Sequence, residues 1–211
     1  MDLSRIIEIF VTFFIIVDPI GVVPIFIAIT TGASKKLKGI IAYRAVVFSI
    51  FVVLLFAFIG KNILDFFGID INAFQVAGGV LLFILAYDML NAHFTDIKTT
   101  KEEREEVREK LIEEQAVWVV PLAIPTLTGP ATMSSIIVFI SNSSTIVEKI
   151  AVVLSIVITL IIAYYFMVFS DKILNKLGTS GLNSANRILG IILLSISVKM
   201  IITGLKKLWY S

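Results

Sequence analysis

Six apolar stretches, each close to the length of a membrane-crossing helix, constrain this chain more than any other feature of its sequence. A helix needs about 20 residues to cross the hydrocarbon core of a bilayer. The stretches occupy residues 6–30, 40–59, 74–90, 117–140, 150–169 and 188–204. The alternation of polar and apolar residues that marks the strands of a membrane barrel is absent. The sequence therefore predicts an all-α, polytopic membrane protein with six transmembrane helices.

The basic residues between these stretches predict an orientation. If each stretch crosses once, the side that holds the N-terminus carries Arg5, Lys61, Lys149, Lys199, Lys206 and Lys207. The other side carries Lys35, Lys36, Lys38, Arg44, Lys98, Lys101, Arg104, Arg108, Lys110, Lys172, Lys176 and Arg187. Cytoplasmic loops carry an excess of Lys and Arg. We therefore expect a multi-pass protein of the plasma membrane with the second set in the cytoplasm and both termini outside.

The chain also repeats itself. The segment "PIGVVP" runs from Pro19 to Pro24, and "PTLTGP" runs from Pro125 to Pro130, 106 residues later. The third stretches correspond as well, with Asn72 aligned to Asn183. Because three spans per half is an odd number, the second half must enter the membrane inverted, a plan that recurs in secondary transporters. The predicted units are a first repeat (1–91), a charged cytoplasmic linker (92–115) and a second repeat (116–211).

Each proline pair is predicted to break the first helix of its repeat. Proline removes a backbone donor and clashes with the preceding turn, so we expect unwound backbone near residues 18–23 and 125–129. Such backbone is tolerated in a membrane only where it is buried in protein or lines a cavity. New helices should begin near Pro24 and Pro130, and their free amides suit a carboxylate. The freed carbonyls suit an ammonium or a cation, so the pair of breaks suits a zwitterion.

Asp18 is the candidate for the charged group of this site. It lies at the centre of the first stretch, where an ionised carboxylate is costly unless it is paired or hydrated. It can bind a substrate ammonium or carry a coupling proton. The alternative is that Asp18 caps the broken turn. Its counterpart in the second repeat is the uncharged Ile124, where Thr126 and Thr128 supply hydroxyls instead.

Weaker candidates surround the two breaks. Gln75 and Asn186 hold equivalent positions in the third spans, where they contact substrate or serve as packing contacts between helices. Ser134 follows the second break by one turn, and it lines the pocket or bonds back to its own helix.

The sequence carries no catalytic or metal-binding constellation. It has no cysteine and only one histidine, His93, and we find no nucleotide-binding motif. We therefore expect no enzyme activity, no cofactor, no metal and no nucleic-acid partner. Energy for transport would come from a gradient, with H⁺ or Na⁺ as the coupling ion.

Four segments together resemble the MarC family of integral membrane proteins, which includes the SnatA-type small neutral amino acid transporters. They are "DPIGVVPIF", "VAGGVLLFILAYDML", "PLAIPTLTGPATMSS" and "NRILGIILLSISVKMIITGL". The resemblance spans nearly the whole chain and implies six spans and the transport of glycine, alanine, serine or threonine. It implies a substrate site at Asp18, Pro19, Ile20 and Gly21 with Thr126, Leu127, Thr128 and Gly129. Family members often carry glycine after the second "GP", where this chain has Ala131.

The predicted function is secondary transport of small neutral amino acids by alternating access. The alternatives are a passive channel for small solutes and a membrane scaffold that transports nothing. A structural alternative also remains, in which residues 6–30 and 117–140 form re-entrant hairpins that do not cross the membrane.

Overall fold

The computed structural model describes residues 3–91, 122–123 and 126–210, and these residues form helices and turns with no strand among them. The helices are α1 Leu3–Val17, α2 Val22–Ile29, α3 Lys35–Phe66, α4 Ile71–Asn91, α5 Pro130–Ser141, α6 Ile146–Val168 and α7 Ser170–Trp209. The predicted all-helical class is confirmed. The predicted linker 92–115 lies outside the described residues.

Among the described residues, five spans are long and apolar enough to cross a membrane, and the first of them, Leu3–Ile29, contains the interruption between α1 and α2. The fourth predicted stretch is represented by the shorter apolar helix α5. The large apolar side chains on the outside of the bundle, such as Phe51, Phe58 and Ile191, are mostly exposed. Ser49, Thr159 and Ser197 are fully buried. Apolar residues outside and small polar residues inside are what a lipid environment favours.

Ion pairs define the two ends of the bundle. Arg5 on α1 pairs with Glu148 in the first turn of α6, and Glu8 pairs with Lys199 on α7. We call this the Glu8 end. The opposite end is marked by Lys38, near the start of α3, which pairs with Asp171 just after α6. We call this the Lys38 end.

The position of these pairs shows that residues 3–29 cross the bundle. The α6 helix has 23 residues, and at 1.5 Å per residue it separates Glu148 from Asp171 by about 34 Å. Arg5 lies at one end of α6, and Lys38, shortly after α2, lies at the other. A re-entrant hairpin at 6–30 is therefore wrong, because it would return to the Glu8 end. For 117–140 the same alternative stays untested, since residues 117–121 lie outside the described part.

The α4 and α7 helices pack closely and antiparallel. A methyl group added at Gly204 would lie 2.9 Å from the Asn72 carbonyl, near the start of α4. One added at Gly190 would lie 3.2 Å from the Ala86 carbonyl, near the end of α4. Glycine at these positions lets the two backbones approach, which is the usual basis of helix packing in lipid.

The last helix is much longer than the predicted stretch 188–204, since α7 begins at Ser170. It is kinked at Gly178, where φ is 66° and ψ is 173°. A left-handed φ costs glycine little. The sequence interpretation missed the segment 170–177 because its lysines and aspartate lower the local hydropathy below that of a span.

Candidate functional site

The first interruption is a tight turn centred on Asp18. The φ of Asp18 is 50°, a left-handed conformation that aspartate tolerates better than most residues. Its N–H donates to the Phe14 carbonyl, which ends α1, and Pro19 then cannot continue the helix. The α2 helix starts at Val22 with Pro24 in its first turn. The unwound part is therefore 18–21, shorter than the predicted 18–23.

The Asp18 side chain turns back onto this break. Its Oδ1 accepts a hydrogen bond from the Gly21 N–H at 2.9 Å, and its main-chain carbonyl accepts one from Val22. The capping role considered for Asp18 is confirmed. The first amides of α2 are thus satisfied within the turn, because the Val22 N–H donates to the Asp18 carbonyl and the Val23 N–H donates to the Ile20 carbonyl.

Asn186 on α7 joins the same group. With its NH₂ turned toward the carboxylate, the Asn186 nitrogen lies 2.8 Å from Oδ2 and 3.2 Å from Oδ1 of Asp18. A β-carbon at Gly21 would overlap Asp18 Oδ2, so glycine is needed there for the carboxylate to fold inward. Asp18 itself stays partly exposed. A carboxylate has about four acceptor positions, and the bonds from Gly21 and Asn186 leave capacity for a further donor.

The second interruption is built differently. The Thr128 N–H and hydroxyl both donate to the Ala123 carbonyl, at 3.0 and 2.7 Å, which is a wide turn with a five-residue step. Gly129 is extended with ψ of 172°, and α5 begins at Pro130 as predicted. Leu127 and Thr128 are fully buried, and Thr126 is partly buried.

Within the part of the chain that the structure describes, no side chain caps the beginning of α5. The backbone bond that closes its first turn runs from the Met133 N–H to the Gly129 carbonyl. By position, the N–H groups of Ala131 and Thr132 precede that bond and have no partner within the helix. Free amides at the positive end of a helix form a site that attracts anions. The two breaks are therefore chemically complementary, with a carboxylate at one and amide donors at the other.

Both interruptions lie in the protein interior. In the first span, 61% of the most apolar stretch is buried, against 28–44% in the other four. Ile15 and Ile16, before the first break, share an apolar cluster with Ala131, after the second. Val17, Val22 and Leu127 share another cluster. In the described part of the chain, Asp18 and Thr128 are not hydrogen-bonded to each other.

The weaker candidates have structural contacts. Gln75 donates to the Met200 carbonyl at 3.2 Å and accepts a bond from Asn142 at 3.1 Å. Asn142 in turn accepts one from Lys207. Ser134 donates to the Ala131 carbonyl and lies beside Gly78. Thus Gln75 and Ser134 take the packing roles considered for them, whereas Asn186, the equivalent of Gln75, lies beside Asp18.

A cavity of about 500 Å³ opens beside these residues at the Glu8 end. Thr12, Gln75 and Asn142 line it, together with the charged Glu8 and Lys199. Val138 and Met200 also line it, and they belong to the apolar cluster that contains Ile16 and Ala131. The cavity therefore borders the apolar cluster that packs beside the two breaks, and none of the described residues of either break lines it.

The sequence interpretation missed Glu8, Asn142 and Lys199 as parts of this cavity. In the sequence, these three residues are marked only by their position near the ends of three different spans. The contacts among them depend on how the helices associate. Among the described residues, no group of His, Cys, Asp and Glu side chains gathers in a way that could hold a metal ion.

Comparison with known proteins identifies the family. A family model described as "MarC family integral membrane protein" matches residues 3–209. The UPF0056 membrane protein MJ0972 of Methanocaldococcus jannaschii is 40% identical over 96% of this chain and 87% of its own length. The UPF0056 membrane protein YvbG of Bacillus subtilis is 34% identical over 98% of this chain and 96% of its own length. No solved structure matches the chain.

Proposed function

This chain belongs to the MarC family of integral membrane proteins, and we propose that it carries small neutral amino acids across the membrane by alternating access. Glycine, alanine, serine and threonine are the proposed substrates, with H⁺ or Na⁺ as the coupling ion. The observation that carries the proposal is the complementary pair of interruptions, which have a carboxylate at Asp18 and free amides at the start of α5.

The proposed architecture is two inverted repeats, and the buried faces of α4 and α7 support it. The alignment of Asn72 with Asn183 sets an offset of 111 residues. Under that offset, five buried positions of α4 fall on five buried positions of α7. They are Gln75 with Asn186, Gly79 with Gly190, Leu82 with Leu193, Ala86 with Ser197 and Met89 with Met200. Because an arbitrary offset would rotate one buried face out of register, the match supports the proposal of two copies of one packing unit.

The interrupted spans support the same relation. Under the 106-residue offset of the two proline motifs, buried residues before, within and after the breaks coincide. They are Ile16 with Leu122, Val17 with Ala123, Gly21 with Leu127, Val22 with Thr128, Val23 with Gly129, Phe26 with Thr132 and Ile29 with Ser135. Antiparallel α4 and α7 then correspond to third spans of opposite direction. Alternating access by rocking of one repeat against the other is the usual mechanism of such proteins.

The substrate chemistry follows from the two ends of the site. An amino acid ammonium has three donors, and the spare acceptor positions of Asp18 suit one of them. The amides of Ala131 and Thr132 suit the carboxylate. We expect small side chains to be preferred, because buried apolar residues such as Val22 and Leu127 pack beside the breaks. In this scheme Asp18 exchanges its contact with Asn186 for the substrate, or takes the coupling proton.

The test is uptake of radiolabelled alanine and glycine into proteoliposomes, with no gradient, with a proton gradient and with a sodium gradient. We expect saturable uptake that one gradient drives above equilibrium. The matched control is empty liposomes of the same lipid. Absence of saturable uptake for every small amino acid under every gradient would remove the proposal, and single-channel currents in planar bilayers would favour a passive channel instead.

A further inference from the structure

A second cavity lies at the Glu8 end, between the last turns of α3, the end of α5 and the beginning of α6. Its volume is about 510 Å³, and it shares no lining residue with the cavity beside Thr12. Its polar lining comes from Lys61, Asn62, Ser141 and Lys149. The proposed transport does not use this second cavity, so its polar lining requires a separate explanation.

The charge inside this cavity is positive. No acidic residue lines it, and within the described residues neither Lys61 nor Lys149 has an ion pair. The buried hydroxyl oxygen of Ser141 has no hydrogen-bond partner in that same part of the chain. A ligand with several acceptor oxygens would satisfy all three side chains.

The helix ends beside the cavity do not change the sign of its charge. The first turn of α6 contributes the positive end of a helix, and the last turn of α5 contributes a negative end. Each end amounts to roughly half a unit charge, so the two offset each other. The N–H of Asn142 also occupies the Val138 and Ile140 carbonyls at the end of α5. The ammonium groups of the two lysines therefore make the net charge of the cavity positive.

The remaining lining is apolar, and part of it faces outward. Phe58, Ile150 and Leu154 line the cavity and are 75%, 53% and 54% exposed. In a membrane protein such side chains contact acyl chains. The cavity thus joins a basic pocket near the end of the span to a lipid-facing groove, and lysine ammonium groups bind phosphate oxygens as point charges, which suits an anionic lipid head group.

We propose that this cavity binds one anionic glycerophospholipid from the adjacent leaflet. Its phosphodiester lies between Lys61 and Lys149 and accepts hydrogen bonds from Asn62 and Ser141. One acyl chain follows Phe58, Ile150 and Leu154 toward the middle of the membrane. The bound lipid bridges α3 of the first half and α6 of the second.

Native mass spectrometry of the purified protein tests this, with phosphatidylglycerol, phosphatidylcholine and soluble glycerol phosphate added separately. We expect one phosphatidylglycerol to bind in preference to phosphatidylcholine. At about 1 kcal/mol for each basic residue near the head group, the affinity should fall about fivefold per lysine removed. The test variant is the double change Lys61→Gln and Lys149→Gln. The control is Lys36→Gln and Lys206→Gln, which removes two exposed lysines outside the cavity.

A second variant, Asn62→Trp, fills the cavity and keeps both lysines. We expect it to lose the bound lipid, which separates a cavity site from general attraction to a basic surface. The proposal is overturned by equal binding of the two lipids, by equal loss in the control pair or by normal binding in Asn62→Trp. It is also overturned if glycerol phosphate at equal concentration displaces the lipid, because the site would then take a free anion.

Discussion

The two oxygens of the Asp18 carboxylate make different contacts. Oδ1 caps the break through the Gly21 N–H, and Oδ2 faces Asn186. Capping fixes the Asp18 side chain within the turn, where the residue stays partly exposed. The Asp18 carboxylate is therefore held in place at the point where the first span is interrupted.

Replacing Asp18 with Asn keeps the size and one acceptor oxygen but removes the charge. Hydrogen bonds to charged groups contribute about 1.5–3 kcal/mol, so alanine affinity should fall about 10- to 100-fold while the protein stays folded. Uptake assays and thermal denaturation measure the two effects. Asp65→Asn is the control, since Asp65 is exposed at the end of α3. Unchanged alanine affinity in Asp18→Asn would contradict the assigned role.

Gly21→Ala tests the position of the carboxylate without changing any charge. The new methyl group would overlap Asp18 Oδ2, so it must displace the side chain from Gly21 and Asn186. Overpacking of this kind costs about 1–3 kcal/mol, and we expect a lower melting temperature together with lost uptake. Normal uptake would show that the inward position of Asp18 is not needed.

At the scale of helices, the proline motifs predicted both interruptions, and α5 begins at Pro130 as expected. The sequence could not show that the first break leaves only residues 18–21 unwound. That depends on Asp18 adopting a left-handed φ, which a few residue types tolerate but none requires. The α7 kink was in principle readable, because Gly178 follows a lysine-containing helical segment in the manner of a C-terminal glycine.

The α4–α7 contact gives a prediction of its own. Gly204→Ala places a methyl group 2.7 Å from Val76 Cγ2 and 2.9 Å from the Asn72 carbonyl. The helices must separate, and the loss should be about 1–3 kcal/mol, seen as a lower melting temperature in mild detergent. Gly39→Ala in α3 is the matched control, because nothing lies within 4 Å of its new methyl group. Equal melting temperatures for the two variants would contradict the close packing.

At the scale of the whole molecule, the predicted charge sets agree with the ion pairs. Arg5 and Lys199, assigned to one side, both pair at the Glu8 end, while Lys38, assigned to the other, pairs at the Lys38 end. The apolar stretches and the charges between them predicted this separation of Arg5 and Lys199 from Lys38, so this part of the topology was readable from sequence. Contacts between distant spans, such as that of Asp18 with Asn186, depend on how the helices associate, so they could not be predicted from the sequence.

The chain has no cysteine, so single-cysteine variants can test its orientation. Ser4→Cys and Ser144→Cys lie at the Glu8 end, and Lys36→Cys lies at the other. We expect a membrane-impermeant maleimide to label the first two in intact cells and Lys36→Cys only after permeabilisation. The reverse pattern would invert the orientation, and labelling of all three from one side would contradict the crossing of residues 3–29.

We propose that the two interruptions together bind both ends of a small zwitterion. The most direct measurement is the melting temperature of the purified protein with alanine, propionate or ethylamine, which share a short apolar group but differ in their charged ends. A ligand at 100 times its Kd stabilises the folded state by about 2.7 kcal/mol, so alanine should raise the melting temperature by several degrees. Propionate and ethylamine, each with one charged end, should not. A site for both ends of a zwitterion is ruled out if alanine has no effect, or if propionate or ethylamine stabilises the protein as strongly as alanine does.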